Sequence, residues 1–376
     1  MNTLTLPISI HDPINAQILS VSEDRIQGFL TDPFGEIAAL SELPVNVVIE
    51  RVRAMLEAGV VRRVRQTLMA TNLAHGSLVA WQVPADKLET AFDYLFQKDP
   101  FSGHVVIRST DAATPGSNYR LWTTLKAPQG YSIKKHCEFL MSKIGAEKFL
   151  LMPAKRLFAL GVGHVRRQNL EPGSKAEVLA EVMNTEIVEL SDLDWKVLTS
   201  LKREFEPSEI RRDLWQARAD EAGVSLETFY EVANSLHARK VIGRFSTFLE
   251  HVKPVAGDDR VTRYNALFHW AVPVGRELEA GQEVGRFHIM THAYWRDGGP
   301  EFKNVNIMGV AHGMEKSKVM AHKAAIDDHL EAIGIPVSYT NVFWGGRSEI
   351  KPSEISPVAY REFCRSNGID PETMRG

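Results

Sequence analysis

The sequence predicts an α+β protein built as a tandem duplication, each copy a small helical unit followed by an antiparallel sheet with helices on one face. Three observations predict it. The same series of features occurs twice, the second copy displaced by roughly 180 to 190 positions. Each copy opens with three helical stretches and a short strand. Each then runs strand, helix, strand, strand, helix, strand, with a Trp and a Pro closing the first of these strands: Trp81 and Pro84, then Trp270 and Pro273.

In the first copy the helical stretches are Ser22 to Leu30, Glu36 to Leu40 and Pro44 to Ala58, closed by Gly59 and the strand Val60 to Val64. In the second they are Leu193 to Glu204, Ser208 to Ala222 and Ser225 to Arg239, with Val241 to Phe245 as the strand. Pro44 suits a first helical turn, and Ser225 suits an N-cap. Both units read as winged helix-turn-helix elements. The sheets follow as Leu78 to Val83, His104 to Arg108, Tyr119 to Leu125 and Leu157 to Val165, and as Ala266 to Val272, Phe287 to Trp295, Val305 to Ala311 and Val337 to Trp344. Helices Ala85 to Gln97 and Ile133 to Ile144, then Val274 to Glu283 and Lys316 to Ile333, separate them. This βαββαβ order is ferredoxin-like and leaves one sheet face open to line a cavity. The expected domains are about 18–66 and 188–246 (winged units), 67–170 and 247–352 (ferredoxin-like) and a tail, 353–376.

With 44 Lys plus Arg against 47 Asp plus Glu, the formal net charge of −3 supplies no broad cationic field for a polyanion. The two cysteines, Cys137 and Cys364, fit neither a disulfide framework nor a CxxC metal site, which favours a reducing compartment, the cytoplasm by default. No run approaches the roughly 18 apolar residues of a membrane helix, and Met1 to Ile10 lacks the basic start of an export signal.

Strand alternation groups the chemistry. From Phe287 to Arg296, period two puts His288, Met290, His292, Tyr294 and Arg296 on one face. In the next strand Asn304, Asn306, Met308, Val310 and His312 share a face. Pairing across Asp297 to Pro300 would aim two imidazoles, a phenol, an amide and a guanidinium at one cavity. His288 and His292 lack a third ligand at a zinc spacing. The first copy repeats the frame with other content: His104, Val106 and Arg108, then Arg120, Trp122, Thr124 and Lys126, with Lys126 where the second copy has His312. Arg108 and Arg296 recur at matching positions, and guanidinium suits carboxylate, so the expected ligand is anionic.

The helices that would enter a DNA groove are poorly charged for it. Pro44 to Ala58 sets Glu50 and Glu57 against Arg51 and Arg53, and Ser225 to Arg239 sets Glu227 and Glu231 against Arg239. The basic residues cluster in the wing, Arg62, Arg63 and Arg65, which could equally hold carboxylates.

The order of elements resembles the AsnC/Lrp family. The segments Thr291-His292-Ala293-Tyr294-Trp295-Arg296, Val305 to Gly313, Tyr119 to Leu125, the wing Gly59 to Arg65, Leu151-Met152-Pro153 and Phe158 to Val162 resemble its enzymatic branch, the sirohaem decarboxylases, in fused two-copy form. The resemblance spans about residues 20 to 352. Arg120, where the branch has Asn, Lys126 and the strand Gly103 to Arg108 depart from it. The resemblance implies a carboxy-lyase that converts the acetates on rings C and D of sirohaem to methyl groups in haem or d-type haem synthesis. It implies no cofactor beyond the iron-containing substrate, a pseudo-dimer of the two copies that could pair again, and neither membrane nor DNA as partner. His292, His312 and Tyr294 would be catalytic, with His312 or His292 the alternative iron ligand. Arg296, Asn306, His104, Arg108, Arg120, Trp122, Lys126, Arg62, Arg63 and Arg65 would bind substrate. The alternative reading is a ligand-responsive AsnC/Lrp-type DNA-binding regulator.

Overall fold

The computed structural model describes residues 6–161, 163–167, 169–250 and 261–376. Val162, in one of the resembling segments, and residues 251–260, at the start of the expected second sheet domain, lie outside the described residues. The first copy forms α1 (Pro13–Ser22), α2 (Pro33–Leu40), α3 (Val45–Glu57), β1 (Val61–Leu68), β2 (Ala74–Gln82), α4 (Leu88–Gln97), β3 (Ser102–Ser109), β4 (Tyr119–Pro128), α5 (Ile133–Ile144), β5 (Lys148–Pro153), β6 (Arg156–Leu160) and α6 (His164–Arg167). The second forms α7 (Asp192–Leu201), α8 (Trp215–Ala222), α9 (Leu226–Ala238), β7 (Ile242–Leu249), β8 (Tyr264–Ala271), α10 (Glu277–Gly285), β9 (Met290–Trp295), β10 (Ile307–Gly313), α11 (Lys316–Ala332), β11 (Tyr339–Ile350) and α12 (Pro357–Ser366).

Two compact units divide the chain by type of structure rather than by copy. One gathers 1–69, 161–169 and 188–263, the other 70–160, 170–187 and 264–376. In the helical unit β1 pairs antiparallel with β7, from Val61 opposite Leu249 to Leu68 opposite Ile242, so the two copies share one two-stranded sheet. The expected first helix, Ser22 to Leu30, is misplaced by a turn-forming segment. Asp12 caps Ile14 and Asn15 with Pro13 at the first turn, so the helix runs Pro13–Ser22, and 23–30 is not helical. Ser208 to Ala222 likewise shortens to Trp215–Ala222. Ser225 caps α9 as expected, accepting from the Thr228 amide.

The second unit is a nine-stranded antiparallel sheet in the order β5-β2-β4-β3-β11-β8-β10-β9-β6. Within it each copy contributes the order last, first, third, second. The copies join through β11, which pairs with β8 over Tyr339 to Trp344 and with β3 over Trp344 to Ile350. The first copy's expected last strand, Leu157 to Val165, is corrected: the task is divided between β5 on β2 and β6 on β9, and the chain turns helical at His164–Arg167. Only Ala154 and Lys155 separate β5 from β6, the two ends of the sheet, so the sheet must curl until its edges approach.

Helices α4 and α5 cover the outer face of the first copy through Trp81, Phe92, Leu121 and Leu140, and α10 and α11 cover the second through Phe268, Trp270, Val284 and Ile326. The inner face is no open cavity wall along its middle. Trp122, Leu267, Phe302, Met308, Phe343 and Met152 fill it as a third core, because a sheet curled on itself turns these bulky side chains toward one another.

Candidate functional site

The chemistry-bearing side chains form one continuous strip along the inner face of the sheet unit. It begins at Arg108, at the end of β3, whose Nη1 donates to Asn265 Oδ1 (3.0 Å) and to the Phe343 carbonyl (3.3 Å). Asn265 Nδ2 lies 3.0 Å from His312 Nε2, across the β8–β10 register in which the two residues are paired. His312 Nδ1 is 3.4 Å from Thr291 Oγ1, and His292 Nδ1 is 3.2 Å from the same oxygen. The His292 and Tyr294 rings stack at 6.1 Å and 14°. Arg296 follows, its guanidinium 4.3 Å from the Tyr294 ring centre and its Nη1 donating to the Met152 carbonyl. Lys126, paired with Gly76 across β2 and β4, is near enough to Arg296 for the two positive charges to repel.

A β-bulge decides which residues join. Between Val310 and Ala311 the β9–β10 register slips, pairing Val310 with His292 but Ala311 with Met290, so Thr291 is the extra residue. Simple alternation fails there. Met290 turns to the outer face, where its sulfur packs by Gly309, and Thr291 turns inward between the two imidazoles. His288 precedes the strand and bonds Ser174. Lys303 and Asn304 adopt positive φ, so β10 begins only at Ile307. Asn306 therefore leaves the expected face: it clips both backbone groups of Val272 and donates to Glu277.

The two copies place matching residues equivalently. Lys126 is paired with Gly76 as His312 is paired with Asn265. Arg108 of the first copy reaches the Phe343 carbonyl of the second, and Arg296 of the second reaches the Met152 carbonyl of the first. His104 Nε2 is bonded to Ser348 Oγ at 2.7 Å. Trp122 is wholly buried in the inner core, and Arg120 is exposed. Arg62, Arg63 and Arg65 lie on β1 of the helical unit, Arg63 on Glu204 at 3.1 Å and Arg65 over Phe248.

Charge in the strip is unbalanced. Arg108 and Arg296 are buried, and neither they nor Lys126 has a carboxylate partner among the described residues. Burial pushes Arg108 down to about 10 and, with Arg296 adding repulsion, Lys126 down to about 8. Burial raises the Tyr294 phenol, against the opposing pull of Arg296. An unpaired buried cation is costly, and an anion that reaches it removes that cost.

Sequence reading missed three contributors: Asn265, Thr291 and His269. Asn265 gave no local signal, because its role is set by partners 157 and 47 residues away. His269 is fully buried beside Trp122 and Phe343, neither ring nitrogen has a partner among the described residues, and burial with Arg108 nearby pushes it down to about 3. A cavity of about 400 Å³ opens at the end of β2 that β5 leaves uncovered, reaching Gly76 and walled by Thr71, His75, Tyr131, Thr185 and Gly376. No Lys, Arg, Asp or Glu side chain lines it, whereas the strip carries Arg108, Arg296 and Lys126.

Residues 73–159, the first-copy half of the sheet, match the family described as AsnC-like ligand binding domain. The AsnC-like resemblance holds. The chain is similar in fold to a solved structure, the siroheme decarboxylase NirDL, at TM-score 0.65 and 17% identity, covering 94% of this chain and 97% of that one. NirDL in complex with an iron-uroporphyrin III analogue is similar at TM-score 0.64, with the same identity and coverage. At this identity the likeness establishes the fold. No curated protein matches the chain. Among the described residues no helix is long and apolar enough to cross a membrane.

Proposed function

We propose that this chain is a sirohaem decarboxylase, a carboxy-lyase that converts the acetate side chains on rings C and D of sirohaem to methyl groups. One observation carries the reading: three cations without carboxylate partners, Arg108, Arg296 and Lys126, lie on one strip with two imidazoles and a phenol. A tetrapyrrole bearing many carboxylates supplies the missing anions, and the fold shared with NirDL, which has been captured with an iron-uroporphyrin III analogue, supports that choice. Each copy is read as a winged helix-turn-helix followed by a ferredoxin-like sheet.

At each acetate the net change is one proton taken up and one carbon dioxide released. Protonation of the electron-rich pyrrole creates a cation. The C–CO₂ bond then breaks, its electron pair flows into that cation, and proton redistribution leaves a methyl group. No electrons are gained or lost overall. The protein supplies a proton donor, for which imidazole with an ordinary pKa near 6.5 is suited, and fixed cations that hold the other carboxylates. Sirohaem iron belongs to the substrate.

The helical unit supports a scaffold role. Arg51 of α3 is bonded to Asp12, Arg53 to the Pro207 and Ile210 carbonyls, and Arg239 beside α9 to Asp194, so cations that could meet phosphate already hold the unit together. Anaerobic incubation of the pure protein with sirohaem, followed by mass spectrometry, tests the proposal. Two successive losses of carbon dioxide are expected. Unchanged sirohaem would sink it.

A further inference from the structure

We propose that the helical unit carries a site for one phosphate group, held between the guanidinium groups of Arg65 on β1 and Arg244 on β7 beside the ring of Phe248. The site uses no residue of the strip and does not rest on the decarboxylase reading.

Strand pairing brings these side chains together. β1 and β7 keep regular register from Arg63 opposite Phe248 to Gln66 opposite Phe245, so alternation puts Arg63, Arg65, Arg244, Ser246 and Phe248 on one face of the ribbon. Thr67 Oγ1 accepts from the Arg244 amide at 2.8 Å and donates to its carbonyl at 2.9 Å, which fixes the backbone from which Arg244 projects. The guanidinium carbons of Arg65 and Arg244 then lie 5.3 and 5.8 Å from the centre of the Phe248 ring. Arg244 Nε donates to the Glu23 carbonyl at 3.2 Å. Among the described residues nothing bonds the Nη groups of either arginine, nor Arg65 Nε, and both side chains are only half-buried. Arg51, Arg53 and Arg239 of the same unit are all bonded within it.

The carboxylates that act on this face are committed elsewhere. Glu204 lies on Arg63 at 3.1 Å. Asp24 Oδ2 meets Arg166 at 2.9 Å and Arg167 at 3.0 Å and accepts from the Gly163 amide. Glu23 Oε2 accepts from the Val165 amide, and burial raises that carboxyl to about 8, so near neutrality it is mostly uncharged. Burial, with repulsion from Arg63, Arg244 and Arg62 against the pull of Glu204, pushes Arg65 down to about 10. An anion between the two guanidinium groups relieves that repulsion. One guanidinium fork takes two oxygens of a single group, so two forks beside one ring exceed what a lone carboxylate offers and suit the tetrahedral oxygens of phosphate. Aligning Val60 to Val64 with Val241 to Phe245 sets Ser246 where Arg65 stands, so each chain should hold one such site.

The test is calorimetric titration of the full-length protein with inorganic phosphate at neutral pH in a chloride buffer free of sulfate. Saturable binding of one phosphate per chain is expected, and Arg65→Met and Arg244→Met should each weaken it by roughly tenfold or more. Arg65→Lys, which keeps the charge and loses the fork, should weaken it by less than Arg65→Met. If circular dichroism shows that a Met variant does not fold, Arg65→Gln and Arg244→Gln decide in the same way. No saturation up to about 10 mM phosphate would overturn the proposal, as would affinity unchanged in both variants. So would acetate binding as tightly as phosphate, which would make this a carboxylate site. Loss of phosphate binding in Arg108→Met alone would place the ion in the strip and overturn it equally. Retardation of duplex DNA that is lost in Arg65→Met, without binding of free phosphate, would assign the arginines to a nucleic-acid backbone instead.

Discussion

Buried groups left without partners make individual residues of this sheet testable before any substrate is added. His269 has an ordinary pKa of 6.5 and a folded one of about 3, so between those values the unfolded chain holds a proton that the folded chain refuses. Stability therefore falls as pH drops from 6.5 toward 3. His269→Leu should remove part of that slope and, by replacing an unpartnered polar ring with an apolar group, raise stability by about 1 kcal/mol near neutrality; urea denaturation at several pH values measures both. Lys126 behaves in the same direction in a higher window. Its ammonium is depressed from 10.5 to about 8, so stability should rise with pH between those values as the folded chain is relieved of the charge. Affinity for a polycarboxylate tetrapyrrole should fall over the same rise in pH, and in Lys126→Met both trends should flatten, as titration by intrinsic fluorescence quenching would show. Arg108→Met should weaken that affinity by roughly tenfold or more, because a charge-assisted contact to carboxylate is lost.

Two elements show where local pattern was enough and where it was not. The alternation His292, Tyr294, Arg296 was legible because period two holds over an uninterrupted stretch of β9. It failed at Met290 and Thr291 because a bulge is a property of two paired strands, and one strand's sequence does not announce it. The tail after Pro352 had no reading at all, and the fold explains it. Helix α12 brings Tyr360 onto Tyr131 (ring centres 4.4 Å apart) and Phe101 (4.9 Å), and its hydroxyl meets His136 Nδ1 at 3.0 Å while His136 Nε2 meets buried Asp99 at 3.2 Å. Ser102 and the Phe101 amide also donate to Asp99. Tyr360→Phe should cost about 1–3 kcal/mol, because it strips a hydrogen bond from a fully buried imidazole, and chemical denaturation of the full chain would measure it.

At the scale of the molecule, a net charge of −3 and arginines already bonded within the helical unit predict no sequence-specific retardation of DNA in a gel at physiological salt. A shifted band specific to one sequence would restore the regulator reading. By itself the sequence carried the order of elements in the second-copy sheet and the equivalence of Lys126 with His312, since periodicity is carried by neighbours along the chain, but it missed β5 of the first copy. The tertiary structure decided that β11 of one copy would pair with β3 of the other, that the curled inner face would fill with Trp122 and Phe343, and that Arg108 would meet His312 through Asn265. Those contacts join residues more than a hundred positions apart, and what selects them is closure of the sheet, a balance of burial and hydrogen bonding over all nine strands that no single stretch of sequence encodes.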